Sequence, residues 1–267
     1  MPASQIALDV SAFSIGGTDQ KAYLKSGSLK FINGTADGRS IVQRHANPVK
    51  SSRAVQVQAS LMDNVGSTVN RVTFKDISAF TLGGNSFAGY LKSFNFNRTC
   101  SHKSAQGDGS ESSFPVYTGE DTSISVELNI PTAAVPAFMA GLDADAQAAS
   151  DLAFSITING AALTIAAMVL DATMGGLEAD GLQSISLNLG GRLTASAPSG
   201  TATLFAAAIT APETAVAISA TTKAAGGLTW AGNGLVSSIS VSGSENGLIL
   251  TDVTYDSVGA WTLTATT

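Results

Sequence analysis

An internal repeat constrains the fold of this chain more than any other feature of its sequence. Residues 9–17 have the sequence Asp-Val-Ser-Ala-Phe-Ser-Ile-Gly-Gly, and residues 76–84 have Asp-Ile-Ser-Ala-Phe-Thr-Leu-Gly-Gly. The offset of 67 residues holds downstream, where Tyr-Leu-Lys-Ser occurs at 23–26 and again at 90–93. A later match of residues 55–59 with 124–128 gives an offset of 69. Such blocks in the same order indicate a duplication, with copies spanning about 5–64 and 72–130.

Apolar residues in both copies occupy every second position, which is typical of half-buried β-strands. The alternating positions are Leu29 and Phe31; Val55, Val57, Ala59 and Leu61; Phe94 and Phe96; and Ile124, Val126, Leu128 and Ile130. Because successive side chains of a strand point to opposite faces, we expect these residues to pack inward. Each copy is therefore predicted to hold a strand, a Gly-Gly turn, a second strand, a polar connection and a third strand.

One segment, residues 131–142, has the pattern of a helix. Thr132 is a candidate N-cap, and Pro136 lies near the first turn, where proline is tolerated. An apolar stripe with helical spacing follows, formed by Val135, Phe138, Met139 and Leu142. We expect this stripe to pack on the sheet.

The rest of the chain again has strand patterns. An Asn-Gly turn joins predicted strands at 153–159 and 163–170, and a third is predicted at 185–189. After about residue 194 the sequence is richer in Ala, Thr and Ser, with short strands predicted near 201–209, 214–222, 235–242, 247–253 and 259–266. These patterns predict an all-β protein of two domains. Residues 1–194 form a β-sandwich or barrel with one short helix, and residues 195–267 form a small β-sandwich, for which an immunoglobulin-like topology is one option.

The composition favours a protein that buries much of its surface against partners. Charged residues make up 13% of the chain, against about 25% in typical globular proteins, and charge is depleted in the cores of interfaces. Residues 1–103 carry a net charge of +7 and residues 104–267 a net charge of −13. A basic front and an acidic rear favour head-to-tail association. The basic residues are dispersed, which argues against a nucleic-acid-binding face.

No arrangement of residues in the sequence indicates catalysis. The single cysteine, Cys100, is expected to be a small core residue, and the two histidines, His45 and His102, are expected to be exposed in loops. Asp171, Glu178 and Asp180 surround a Gly-Gly turn without the signal of a pocket. Phosphate-binding loops, nucleophile elbows and metal-ligand spacings are absent from the sequence. We therefore predict that the protein is not an enzyme and uses no cofactor or metal.

The start of the chain, residues 1–5, has neither a basic nor an apolar region of the kind found in signal peptides. No run of about 18 apolar residues predicts a membrane span. A single cysteine excludes an intramolecular disulfide and fits a reducing compartment. These features predict a protein made in the cytoplasm and not bound to a membrane.

The order of elements between Asp76 and Arg192 resembles that of phage tail tube (major tail) proteins. A strand over 90–96 is followed by a long polar loop, a Thr-Gly-Glu-Asp lead into the strand 123–130, one helix, an apolar hairpin and an acidic Gly-rich turn before a last alternating strand. The predicted C-terminal sandwich resembles the decorating domain that such subunits often carry. The N-terminal copy of the repeat, residues 5–64, is longer than the short lead expected of this family.

The resemblance implies a virion protein of the phage tail, made in the host cytoplasm. Its subunits would form rings, typically hexameric, that stack head to tail and contact other tail proteins. A long loop, Thr99 to Asp121, would bridge rings, with candidate residues His102, Lys103, Asp108, Glu111, Glu120 and Asp121. An acidic lumen, with candidates Asp171, Glu178 and Asp180, would let DNA slide through without specific binding. A duplicated subunit also allows a ring of three chains that mimics six-fold symmetry.

Two other functions remain open from the sequence. One is a capsid decoration protein or another β-sandwich assembly protein. The other is an adhesin or carbohydrate-binding module, in which Trp230 or Trp261 would contact sugar, although both are expected to pack in the C-terminal core.

Overall fold

The computed structural model describes residues 10–37, 48–62, 73–83, 85–105, 114–148, 152–158, 161–177, 181–193, 213–222 and 226–265. This part of the chain is predominantly antiparallel β-structure with one short α-helix, as the sequence predicts. No helix within these ranges is both long enough and apolar enough to cross a membrane.

Fourteen strands form one connected sheet. The first eight are β1 (Ala12–Ile15), β2 (Thr18–Asp19), β3 (Leu24–Asp37), β4 (Pro48–Met62), β5 (Ile77–Leu82), β6 (Asn85–Ser86), β7 (Leu91–Ala105) and β8 (Phe114–Pro131). After the helix α1 (Val135–Ala148) come β9 (Leu152–Ile158), β10 (Ala161–Leu177), β11 (Leu182–Leu193), β12 (Val216–Thr221), β13 (Leu228–Ser244) and β14 (Leu250–Ala265).

The strands group into two units with the same topology. In the first, which we call the outer unit, the strand order is β2-β1-β12-β13-β14-β4-β3. In the second, the inserted unit, the order is β6-β5-β9-β10-β11-β8-β7. Each strand of the inserted unit therefore has a counterpart in the outer unit. The inserted unit lies between β4 and β12 in sequence.

The two units also share their strand register. In the β3–β4 ladder Leu24 pairs with Leu61, and 67 residues later Leu91 pairs with Leu128. Adding 67 to both members converts every pair of β3–β4 into a pair of β7–β8, and both ladders have β-bulges at the same two places. A bulge is a conserved device rather than an accident of packing. The duplication is thus structural as well as sequential.

The correspondence reaches strands that lie outside the repeat predicted from the sequence. Val236 pairs with Tyr255 in β13–β14, and Val169 pairs with Leu189 in β10–β11; both ladders shift register directly afterwards. The duplicated element is therefore a complete seven-stranded unit. The sequence predicts a repeat only over the region of β1–β4, where it predicts three strands and the structure has four.

The predicted offset of 69 over residues 55–59 is wrong. Val57 pairs with Leu29, and Ile124 pairs with Phe96, so Val57 corresponds to Ile124 and the offset stays at 67. The error arises because apolar residues alternate with a period of two, so that a shift of two residues fits the pattern equally well.

The C-terminal strands pair with the N-terminal region rather than only with one another. β12 pairs with β1, β14 pairs with β4, and β13 pairs with β7. Residues 213–265 thus complete the outer unit, and the immunoglobulin-like topology predicted for residues 195–267 is not confirmed. The strands predicted at 247–253 and 259–266 are one strand, β14. The strand predicted at 201–209 lies outside the described residues.

The buried core follows the predicted alternation closely. Inward-facing residues are Val55, Val57, Ala59 and Leu61 on β4, Ile124, Val126, Leu128 and Ile130 on β8, and Ile185, Leu187 and Leu189 on β11. Phe80 and Phe154 meet edge to face with ring centroids 5.4 Å apart. Trp230 is buried and packs on Trp261, as predicted, with ring centroids 5.6 Å apart.

The helix is confirmed, but its start and end differ from the prediction. A 3-10 turn over Thr132–Ala134 precedes α1, which continues to Ala148. Thr132 does not cap the helix, because its hydroxyl donates to the carbonyl of Gly181 at 2.7 Å. The apolar stripe packs on the sheet as expected, and the ring of Phe138 lies edge to face against Phe87 at 5.1 Å.

Candidate assembly interface

The two units are joined by a β-ladder between β7 and β13. The register runs from the pair Ser93–Ser244 to the pair Thr99–Ser238. β13 therefore has β14 along one edge, and along the other it has β12 beside its first half and β7 beside its second half. We call the β7–β13 ladder the junction. It is an edge-to-edge contact between two units of the same fold.

The two strands of the junction pack closely at Gly243. A Cβ atom at this position would lie 2.6 Å from Cδ1 of Ile249 and 2.8 Å from Cε1 of Phe94. Phe94 is the residue opposite Gly243 in the ladder and is buried. Because real Cβ atoms essentially never come so close to other carbon atoms, a larger residue at position 243 would have to displace Ile249 or the ring of Phe94.

A charged cluster lies beside the junction. Arg98, on β7, forms an ion pair with Glu120 on β8, and the carboxylate oxygen that it contacts also accepts a hydrogen bond from the Tyr117 hydroxyl at 3.0 Å. The Arg98 side chain is 3% exposed and that of Glu120 is 27% exposed. Burial and the hydrogen bond to Glu120 raise the pKa of Tyr117. Arg98 pairs with Ile239 of β13, so its charge is buried where the two units meet.

His102 lies between the two units near this cluster. Its side chain is 5% exposed, and its Nδ1 atom is 4.0 Å from a carboxylate oxygen of Asp256 on β14. The Tyr117 ring of β8 lies edge to face at 6.2 Å, and neither ring nitrogen of His102 has a hydrogen-bond partner. Burial lowers the pKa of His102, and Asp256 offsets this effect in part. The expectation of an exposed loop histidine is therefore wrong for His102, while His45 lies outside the described residues.

The buried His102 predicts that acid destabilises the fold. Because its pKa is lowered in the folded state, the unfolded chain binds the proton first as the pH falls below about 6.5, the ordinary value for histidine. The stabilisation is therefore present above that pH and is lost below it. We expect His102→Phe, which keeps a ring but does not titrate, to reduce the fall in unfolding free energy between pH 7 and pH 5, measured by urea denaturation. An equal fall in both proteins would show that other groups cause the acid sensitivity.

The long loop predicted over Thr99–Asp121 is largely a β-hairpin. β7 continues to Ala105, and β8 begins at Phe114. Of the candidate residues for contacts between rings, His102 and Lys103 lie on β7, Glu120 and Asp121 lie on β8, and Asp108 and Glu111 lie outside the described residues. The sequence does not predict these strands because two inward positions after Phe96 carry the polar residues Arg98 and His102, which break the apolar alternation. A role in contacts between rings stays a prediction.

The acidic residues predicted for the lumen are described only in part. Asp171 is exposed on β10 and accepts a hydrogen bond from the Thr173 hydroxyl at 3.4 Å. Glu178 and Asp180 lie outside the described residues. Whether these three residues line a channel stays a prediction.

Cys100 is buried on β7, in agreement with the expectation of a core residue. Burial raises the pKa of its thiol, although Arg98 acts in the opposite direction. In the described ranges, no three histidine, cysteine or acidic residues lie close enough together to hold a metal ion.

Two strand edges equivalent to those of the junction are open. β3, the counterpart of β7, pairs only with β4 among the described strands. β10, the counterpart of β13, pairs with β9 over residues 161–167, and its residues 171–177 pair only with β11. The edges of β7 and β13 that meet inside the chain thus have copies, on β3 and β10, that no other described strand covers.

Apolar side chains on the open edges are exposed where their counterparts in the junction are buried. Met174 on β10 is 52% exposed and its counterpart Val241 on β13 is 5% exposed. Met168, which precedes the open edge on β10, is 41% exposed, against 4% for its counterpart Leu235, which lies outside the junction. On β3, Phe31, which the sequence pattern places inward, is 45% exposed, and the corresponding Arg98 of β7 is 3% exposed.

Comparison with known proteins identifies no relative, so the candidate interface is inferred from the geometry of these edges. No protein-family model matches the chain, and no curated protein sequence matches it either. The sequence alone missed Gly243 and Met174 as residues of an interface. A comparison of residues 169–182 with 236–248 could have found them, because both stretches contain a valine, a glycine, a glutamate and a Gly-Leu pair in the same order.

Proposed function

We propose that this chain is a structural protein that assembles with copies of itself into stacked rings, forming a phage tail tube through which DNA passes. The observation that supports this most is the junction, which joins two units of the same fold edge to edge, together with the open copies of its two edges. Open strand edges are normally protected in soluble monomers, because they pair readily with other chains. A contact between two different edges either closes into a ring or continues as a filament.

The duplication sets the number of chains in such a ring. The tail tube proteins that the sequence resembles form rings of six subunits. Here each chain supplies two units, so a six-unit ring needs three chains. Each unit would curve as a sandwich or barrel, and the joined sheets would surround the channel.

The charge distribution fits passage of DNA through the tube. The region after residue 103 carries a net charge of −13. Asp171, Glu178 and Asp180 would place part of this charge in the lumen, where it repels DNA phosphates and prevents specific binding. The β7–β8 hairpin would reach the next ring, and other tail proteins would close the ends of the tube.

Electron microscopy of the purified protein at increasing concentration tests this proposal directly. We expect rings and hollow tubes in negative stain, with three-fold or pseudo-six-fold end views. Sedimentation velocity should show the corresponding increase in mass. Protein that stays monomeric at every concentration, with or without tail components that initiate assembly, would contradict the proposal and favour a decoration protein or a carbohydrate-binding module.

Two exposed lysines offer a matched pair of variants. Lys30 lies on the open edge of β3, and Lys75 lies on the 3-10 turn Phe74–Asp76, which belongs to neither open edge. We expect Lys30→Glu to raise the protein concentration needed for rings by about threefold, because it would remove one exposed charge pair between Lys30 and the neighbouring copy. Lys75→Glu should leave that concentration unchanged. Equal behaviour of the two variants would place the assembly contact elsewhere.

A further inference from the structure

We infer that the open edge of β3 pairs with the open edge of β10 in a second copy of this chain, in the same register as the junction. The inference rests on the proposed self-assembly and specifies its contact. It follows from the internal symmetry of the chain, because the junction shows within one chain how one unit joins the next.

The register follows from the 67-residue offset, which applies to both strands of the junction. The junction pair Ser93–Ser244 becomes Ser26 opposite Leu177 of the second copy, and the junction pair Thr99–Ser238 becomes Ile32 opposite Asp171. Between these ends, Lys30 lies opposite Thr173. The contact is an antiparallel ladder of the same length as the junction.

The strand irregularities of the open edges largely match those of the junction. The β3–β4 hairpin repeats every pair and both bulges of β7–β8. β10 has the bulge after Val169 that β13 has after Val236. It also has a second irregularity between Met174 and Leu177, which β13 lacks over the equivalent residues. Because bulges set the local twist of a strand, the β3 edge matches that of β7 throughout, and the β10 edge matches that of β13 as far as Met174.

The side chains of the two edges are compatible in this register. Gly27 lies opposite Gly176 where the junction has Phe94 opposite Gly243. A Cβ atom at Gly176 would contact nothing within 4 Å, so the backbones can approach freely. Lys30 is a diagonal neighbour of Asp171, at a separation of about 7–8 Å that long side chains bridge. Both residues are exposed in the single chain, so that their charges remain available to a second copy.

Pairing would also bury the apolar side chains that the open edges expose. Met174 occupies the position of Val241, which is buried in the junction, and Phe31 occupies the position of the buried Arg98. Other large apolar side chains, such as Val116 on β8 and Leu263 on β14, are also exposed, but only Phe31 and Met174 lie on the two edges whose junction counterparts are covered. Their position favours a contact between these edges. The occupant of each edge is therefore the other edge of another copy.

Disulfide cross-linking between two single-cysteine variants tests the register. Lys30→Cys and Thr173→Cys place thiols on opposite edges, at positions that would face each other with Cα atoms about 4.5–5.5 Å apart, a spacing that a disulfide spans. The two purified variants are mixed, assembled, oxidised mildly and separated by non-reducing electrophoresis. The native Cys100 is buried and present in all samples. Met174→Cys replaces Thr173→Cys in a control mixture, one residue out of register and on the other face of the strand.

We expect a covalent dimer in the mixture of Lys30→Cys with Thr173→Cys, with at least tenfold less in the control mixture and in either variant alone. Dimers from Lys30→Cys alone would show that two β3 edges pair with each other and would overturn the inference. Tubes seen by electron microscopy without cross-links would overturn this ladder but leave the proposed function standing. Cross-links without tubes would support the ladder and overturn the proposed function.

Discussion

Replacing Gly243 with leucine is expected to lower the free energy of unfolding by about 3 kcal/mol, the upper part of the range for overpacked sites. The new side chain would have to occupy the space held by Cδ1 of Ile249 and the ring of Phe94, which lie 2.6 and 2.8 Å from the position of its Cβ atom. Both neighbours are buried and cannot move into solvent. Urea denaturation followed by tryptophan fluorescence measures the change.

The chain contains its own control for this substitution. Gly176 is the counterpart of Gly243 on the open edge of β10, and a Cβ atom there meets no other atom within 4 Å. Gly176→Leu should therefore change the free energy of unfolding by no more than about 0.5 kcal/mol, as surface substitutions usually do. If Gly243→Leu is as mild as Gly176→Leu, the junction is not closely packed, and it cannot serve as the template for contacts between chains.

Removing the carboxylate of Glu120 is expected to cost about 2–3 kcal/mol of stability. The Arg98 side chain is 3% exposed, so Glu120→Ala leaves a guanidinium buried without its carboxylate. Breaking a buried ion pair in this way typically costs 3–5 kcal/mol, and the lower figure here reflects the partial exposure of Glu120. The variant should also unfold the junction first, because Arg98 belongs to the β7–β13 ladder. Hydrogen exchange of β7 and β13 amides reports that local opening.

Two further variants separate the ion pair from the general loss of charge. Asp121→Ala removes the neighbouring carboxylate, which is exposed on the same strand, and should have an effect within about 0.5 kcal/mol. The double variant Arg98→Met with Glu120→Ala removes both charges and keeps an apolar chain in the site. It should recover most of the stability that Glu120→Ala loses, since replacing both members of a buried pair is often nearly neutral. No recovery would mean that packing around Arg98, rather than its charge, is what Glu120→Ala disturbs.

The sequence predicts the repeat and the β-class of the fold well, because both depend on local patterns. Blocks such as Tyr-Leu-Lys-Ser survive at a constant spacing, and apolar alternation identifies β4, β8 and β11. The exact register is harder to predict, since a period of two cannot distinguish an offset of 67 from one of 69. Bulges and cross-strand partners, which the structure supplies, settle that offset.

The grouping of strands could not be predicted from local patterns. β12, β13 and β14 belong to the outer unit only through ladders with β1 and β4, which lie some two hundred residues earlier in the chain. The sequence change near residue 194 suggested a separate domain because the C-terminal strands are richer in small residues than their counterparts in the inserted unit. Arg98 and His102 are polar residues at inward positions of β7, and for this reason the apolar pattern does not predict the long β7–β8 hairpin.

The insertion of one unit within the other fixes the order in which a ribosome can complete them. All seven strands of the inserted unit have been synthesised once the ribosome reaches Leu193. By contrast, β1–β4 cannot complete the outer unit until β12–β14 have been made. The hydroxyls of Ser14 and Ser219, which meet between β1 and β12, belong to residues 205 positions apart in the sequence. Closing so long a loop is slow compared with folding a contiguous domain. The β13 edge that receives β7 therefore forms after the inserted unit, so the junction is made only once β12–β14 have been synthesised. A nascent chain thus exposes the β10 edge early but lacks a finished outer unit to extend a growing ring, which delays assembly until the outer unit has folded.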